Sequence, residues 1–171
     1  GYVWTKTDPD RTGIPKFLTE KTLSFEEYVD YALQVPVYSI IRNNNYHNCT
    51  KYTFQDLLDG KNNQFAPDDI LIEDWINHIS TIFTEVRLKT FIEMRGADAG
   101  SYDTLCALPA FWSGILYQED SLEETFKLIS EFKYEDLIKF RSDVLSNGLN
   151  SSYKNKTGWE LAEKLLNISF E

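Results

Sequence analysis

Residues 84–95 read "TEVRLKTFIEMR" and run directly into "GADAG" at 96–100. In steps of two, Glu85, Arg87, Lys89, Phe91, Glu93 and Arg95 share one face, while Val86, Leu88, Thr90, Ile92 and Met94 share the other. This alternation predicts one strand over 84–95, apolar on its core face and charged in alternating sign on the opposite face. A solvated face with weak charge pairs, each worth under ~1 kcal/mol, accounts for the pattern taken alone. Two features favour a lined cleft. The Glu93-x-Arg95 pair brings fixed charge to a bare loop of small residues where a ligand can approach closely, and the next segment is apolar nearly all round.

Working outward, "SFEEYVDYAL" at 24–33 predicts a helix with Ser24 and Glu27 as a capping box and Phe25, Tyr28, Val29, Ala32 and Leu33 on one face. "VYSIIR" at 37–42 and "YHNCT" at 46–50 predict a hairpin about Asn43-Asn44-Asn45. Thr53 opens a short helix that Gly60 closes, and "ILIEDWINHIS" predicts another with Ile72, Trp75, Ile76 and Ile79 inward and His78 beside the polar side. Tyr2, Val3 and Trp4 look like the end of a strand, so the chain is expected to begin in mid-pattern. Beyond residue 100, "TLCALPAFWSGILY" predicts a buried helix in which Pro109 is either a start or a kink. Three amphipathic helices follow, with capping boxes expected at Ser121/Glu124 and Thr157/Glu160 and a loop over "SNGLNSSYKNK". The class is α+β, in one unit over 1–171: antiparallel strands with helices over 1–95, and helices over 96–171.

Composition narrows the function. With 17 Lys and Arg against 27 Asp and Glu, a net charge of -10 and no basic run, the chain is unsuited to a phosphodiester backbone. No apolar stretch approaches the ~20 residues of a membrane span, and "GYVWTKTDPD" lacks the charged start and apolar run of a signal peptide. Cys49 and Cys106 fall in no metal-type spacing and read as reduced thiols of a cytoplasmic protein. The Asn-x-Ser/Thr triplets at Asn48, Asn150, Asn155 and Asn167 therefore predict no glycan. Neither a Rossmann nor a P-loop glycine motif is present. Asp8, Asp10 and Arg11 could hold a metal or an anion, but "TDPDRTG" is also turn chemistry. His47 and His78 stand apart from any nucleophile motif.

The blocks "VWTKTDPDRTGIPKF", "FEEYVDYALQVPVY", "TFQDLLDGK", "DWINHISTIFTEVRLKTFIEMRGAD" and "LCALPAFWSGILY" resemble, in order and spacing, the plant and alphaproteobacterial type of glutamate-cysteine ligase. The resemblance is close over 3–117, looser past 120, and corresponds to less than half of the family's chain, its C-terminal part. It implies a glutamine-synthetase-like fold, in which the polar face of a curved antiparallel sheet is the active-site floor. The implied chemistry is ATP-dependent joining of glutamate to cysteine through a γ-glutamyl phosphate, with Mg2+ as the ion. Carried onto this chain, the resemblance makes Glu93 the metal-ligand candidate. Arg95 and Arg87 become the catalytic candidates, Arg95 as a clamp on phosphate or carboxylate, and Arg11, Tyr31 and Lys89 candidates for substrate contact. Asp98 is implied to fix the loop after the strand. Implied partners are glutamate, cysteine, ATP and the N-terminal half of the ligase, without which this chain is expected to be inactive. The alternative is a non-catalytic binding or assembly module with the ligase fold. Ala99-Gly100-Ser101-Tyr102-Asp103-Thr104 stands where the family usually has Gly-Gly-Pro-Trp and two Arg. The resemblance also implies no intrachain disulfide, since Cys49 lacks a cysteine partner at 61–67 and a partner for Cys106 would lie upstream.

Overall fold

The computed structural model describes residues 2–19 and 24–170. These form two compact units, Tyr2–Gly96 and a second that begins at Ala97.

The first unit opens on a 3-10 helix, Tyr2–Lys6, not on the strand end expected there. The Thr5 and Thr7 hydroxyls donate to the carbonyls of Tyr2 and Trp4, three residues back, and so hold the coil. Strand β1, Thr12–Gly13, follows the turn at Asp8. Helix α1, Phe25–Gln34, begins at the expected capping box: the Ser24 hydroxyl accepts from the Glu27 N–H, and the Glu27 carboxylate accepts from the Ser24 N–H. Strands β2, Ser39–Arg42, and β3, Asn45–Asn48, pair antiparallel with Arg42 opposite Asn45. Asn43 and Asn44, at φ 51° and 61°, are the two left-handed residues that a two-residue type I′ turn requires. Thr53 caps α2, Phe54–Leu58, with Asp56 completing the box, and Gly60 follows at φ +68°.

Helix α3, Ile72–Ser80, is rotated from its expected setting. Ile72 and Ile76 are 65% and 50% exposed, whereas Asp74 and His78 are buried. The polar pair is tolerated inside because both side chains are partnered. Arg42 grips the Asp74 carboxylate with both ends of its guanidinium at 2.7 and 2.6 Å, and His78 donates through Nε2 to the Ala32 carbonyl at 2.8 Å. Phe54 and Trp75 enclose the imidazole, whose Nδ1 has no partner. Burial pushes the His78 pKa down, against the opposing pull of the Ala32 carbonyl. His78 is thus held neutral in the fold but takes up a proton in the unfolded chain near the ordinary value of ~6.5. Its contribution to stability is complete above that value and is lost as pH falls through it, by up to about 1.4 kcal/mol per pH unit. Melting temperatures of wild type and His78→Phe between pH 7.5 and 5.5 should show a steeper fall for wild type; equal slopes would contradict the assignment.

The chain from 83 to 95 is not one strand. It forms β4, Phe83–Thr84, then β5, Val86–Leu88, a turn at 89–91, and β6, Ile92–Met94. Strands β5 and β6 form an antiparallel hairpin with Arg87 opposite Glu93. Strand β4 pairs with β1 in parallel, not antiparallel as expected. The described residues carry four two-stranded ladders. Two apolar clusters hold this unit. Val37, Ile40, Cys49, Phe54 and Leu57 form one, and Ala32, Val35 and Ile82 form the other, with Trp75 packed against both.

In the second unit α4, Tyr102–Leu116, runs through Pro109 as a continuous helix. Contrary to its all-round apolar sequence it is largely exposed, and only Ile115 is buried. None of the described residues covers its outer faces, so the hydrophobicity does not become burial. Helix α5, Glu119–Ile129, starts two residues before Ser121, which is therefore not a cap: its buried hydroxyl donates to the Ile168 carbonyl. After α6, Tyr134–Asn147, the expected loop contains a small hairpin of β7, Ser152–Tyr153, and β8, Lys156–Thr157. Lys154, at φ 52°, makes its turn. The Thr157/Glu160 box is formed and opens α7, Gly158–Phe170. Tyr153 stacks on Phe132 at 4.1 Å and, with Leu128 and Leu161, builds this unit's core.

Candidate active site

Hairpin pairing places Arg87 and Glu93 face to face. Two residues six apart along one strand would stand roughly 20 Å apart. Here the Nε and Nη2 of Arg87 both lie 2.6 Å from Glu93 Oε2. Arg87 is buried, and its Nη1 donates to the carbonyls of Ser80 at 2.8 Å and Ile82 at 3.3 Å. The other Glu93 oxygen, Oε1, meets only a long contact, 3.3 Å from Arg95 Nη1. Burial by itself would raise the Glu93 carboxyl, but the Arg87 hydrogen bond and charge, joined by Arg95, outweigh it and hold the group below the usual carboxylate range.

Arg95 extends the hairpin, its N–H donating to the Glu85 carbonyl at 2.9 Å. Its guanidinium lies 5.5 Å from the centre of the Phe83 ring, with a buried Nε that has no partner. One weak ion pair and an unsatisfied donor leave Arg95 with more open hydrogen-bonding capacity than Arg87. Lys89 sits in the hairpin turn beside Phe91 and is not brought to the Arg87–Glu93–Arg95 group.

Arg11 is a bolt within the fold, 1% exposed. It donates to Asp8 at 2.7 Å, to Thr81 at 3.0 Å and to the Pro36 carbonyl, and its guanidinium stacks 3.6 Å over the Tyr38 ring. Burial would raise the Asp8 carboxyl, but the bond from Arg11 overrides it and keeps it low. Asp8 also accepts from the Asp10 N–H, so "TDPDRTG" is a turn locked by its own arginine. Tyr31 is half-buried between Phe17 and Tyr28 and donates to the Asp10 carbonyl at 2.9 Å. Burial and the neighbouring Tyr28 push its hydroxyl far above the ordinary value, so it serves as a donor and not as a base. Asp98 belongs to the second unit, where it lines an apolar groove with Thr104, Phe111, Leu166 and Phe170.

No three His, Cys, Asp or Glu residues gather into a metal cage among the described residues. Glu93 nevertheless fits a magnesium ion as a single hard ligand, because Oε2 is anchored while Oε1 is only loosely held. Magnesium commonly takes one or two carboxylates and completes its octahedron with substrate phosphates and water.

The cross-strand pairing is the feature that reading residues 84–95 as one strand missed. A signal for it exists in the sequence: Arg87 and Glu93, of opposite sign, lie equidistant from the polar Thr90, with apolar residues mirrored around them.

The family model described as "Glutamate-cysteine ligase family 2(GCS2)" matches residues 1–161. The chain belongs to this family. Glutamate--cysteine ligase A, chloroplastic, of Oryza sativa subsp. indica is 44% identical over 169 residues, covering 98% of this chain and 34% of the relative. The glutamate--cysteine ligases, chloroplastic, of Medicago truncatula and Arabidopsis thaliana are each 42% identical over 168 residues, covering 98% of this chain and 33% and 32% of theirs. The chain thus spans about a third of the length of the curated ligases it matches.

Proposed function

We propose that the chain is the C-terminal part of an ATP-dependent glutamate-cysteine ligase and that its β5–β6 hairpin supplies one wall of the active site, in a glutamine-synthetase-like fold. The observation that carries this reading is 44% identity over 98% of the chain to a protein named for that reaction. The hairpin chemistry supports it, since an anchored carboxylate beside an arginine with open donors suits a reaction that moves a phosphoryl group.

In the proposed reaction the terminal phosphoryl group of ATP passes to the γ-carboxylate of glutamate, giving an acyl phosphate and ADP. The cysteine amine then attacks the acyl carbon, the C–N bond forms, phosphate leaves with the C–O bonding pair, and the amine loses a proton. Magnesium, when bound, neutralises phosphate charge, and Glu93 would supply one of its oxygen ligands. Arg95 holds a phosphate or carboxylate oxygen through the donors that Glu93 leaves open. Arg11 and Tyr31 bond within the fold, to Asp8, Thr81, Pro36 and Asp10, and Lys89 reaches an anion only from the hairpin turn.

With one carboxylate ligand, this chain alone is expected to be inactive. Isothermal titration of Mg-ATP and glutamate into a ligase of the relatives' full length that carries this chain should give saturable binding, and titration into the isolated chain should give none. Absence of binding to the full-length protein would favour a second reading, a non-catalytic assembly module.

A further inference from the structure

We propose that Arg87 is a positioning residue of the site: it never touches a substrate, and it fixes the Glu93 side chain so that Oε1 alone is presented. This inference rests on the ligase reading above.

Three observations carry it. Arg87 is 8% exposed, so its guanidinium lies beneath the charged face and not on it. Nε donates to Glu93 Oε2, Nη1 donates to the Ser80 and Ile82 carbonyls, and Nη2 lies in ion-pair contact with the same Oε2. The N–H groups of the guanidinium not used in these hydrogen bonds are those of Nη2, which lies against Oε2. Finally, the β5–β6 register sets Arg87 directly opposite Glu93, so the contact is built into the ladder.

The two oxygens of Glu93 consequently differ. Oε2 receives one short charge-assisted hydrogen bond from Nε and a close ion-pair contact from Nη2, which fix the rotamer, and Oε1 receives one long bond. A carboxylate held through one oxygen is a preorganised single ligand, whereas a free one swings. Outer partners of this kind, when removed, typically lower metal affinity ~10–100-fold. The planar fork explains why the residue is arginine: a lysine at 87 would keep the charge but could not reach Oε2 and two carbonyls together.

The test uses full-length ligase carrying this chain in four forms: wild type, Arg87→Lys, Glu93→Gln and the double variant. Steady-state rates are measured against Mg2+ at saturating substrates, and Mn2+ binding in the presence of ADP is measured without turnover by electron paramagnetic resonance. Arg87→Lys is expected to raise the Mg2+ concentration for half-maximal rate and to weaken Mn2+ binding by about 10-fold or more. KM for glutamate should change less than about twofold, and in the double variant Arg87→Lys should add nothing to the Glu93→Gln loss of Mn2+ affinity. A raised KM for glutamate or ATP with unchanged metal affinity would make Arg87 a substrate contact. A lowered melting temperature with unchanged metal affinity would make it purely structural, and additive losses would uncouple it from Glu93; each of these overturns the proposal. Wild-type protein that neither turns over nor binds Mn2+ with ADP would instead overturn the ligase reading on which it stands.

Discussion

Glu93→Gln, introduced into a full-length ligase that carries this chain, is expected to lower kcat for γ-glutamylcysteine formation by about 100-fold or more. The substitution is nearly isosteric, so Arg87 can still hold the side-chain oxygen and the hairpin keeps its register. What it removes is the negative charge that, in the proposed ligase site, would make Oε1 a hard ligand beside the phosphates. It also removes the counter-charge that places Arg95. Because the Glu93 carboxyl is held below the usual carboxylate range by its two arginines, it is ionised across the whole working pH range, and lowering the pH to 6 should not reproduce the variant's defect. A Glu93→Gln enzyme with wild-type kcat would remove Glu93 from the site.

Gly114→Ala should be the most destabilising single-methyl addition in the second unit. A Cβ at Gly114 would lie 2.0 Å from the Ser169 carbonyl oxygen and 2.6 Å from its hydroxyl, where α4 and α7 cross. The Ser169 hydroxyl donates to the Phe111 carbonyl at 2.9 Å, so that residue is not free to retreat. In an open helix the same change would stabilise by nearly 1 kcal/mol. Here the helices must part to admit the methyl, and overpacking of that kind costs about 1–3 kcal/mol or more, so the clash decides the sign. The thermal transition of the chain should fall by roughly 5–15 °C, given the sensitivity of a unit this size. A melting temperature equal to or above wild type would contradict the close helix approach.

The legible parts of the fold were those set by short-range chemistry. The capping boxes at Ser24 and Thr157 and the Asn43-Asn44 turn stand where the sequence places them, because each is completed by residues within four positions. Ser121 shows the limit of that reasoning: the same two-residue signature falls inside α5, and its hydroxyl is used by Ile168, 47 residues away. Period-two counting reached the shared face of Arg87 and Glu93, since parity survives a hairpin whose register pairs odd with odd. It did not reach the turn, because Lys89-Thr90-Phe91 carries none of the usual turn residues. The inward face of α3 was missed for a different reason. Apolar periodicity cannot foresee that Asp74 and His78 find partners on β2 and α1, while Ile72 and Ile76 stay outside. Apolar content likewise misjudged α4, because burial requires a neighbour as well as a hydrophobic surface. Of the candidate site, the sequence reaches the proximity of Glu93 and Arg95, which the structure shows as a contact of 3.3 Å. The division of labour between an anchored Arg87 and an open Arg95 depends on which donors are satisfied, and only the structure supplies that.

The most direct test of the account joins this chain to the remaining two-thirds of a ligase of the relatives' length and measures γ-glutamylcysteine and ADP from glutamate, cysteine and ATP. The expected result is equimolar product and ADP, dependent on both amino acids and on magnesium, with no product from the 171-residue chain alone. A well-folded full-length protein that releases no γ-glutamylcysteine under those conditions would contradict the assignment of the β5–β6 hairpin to a ligase active site.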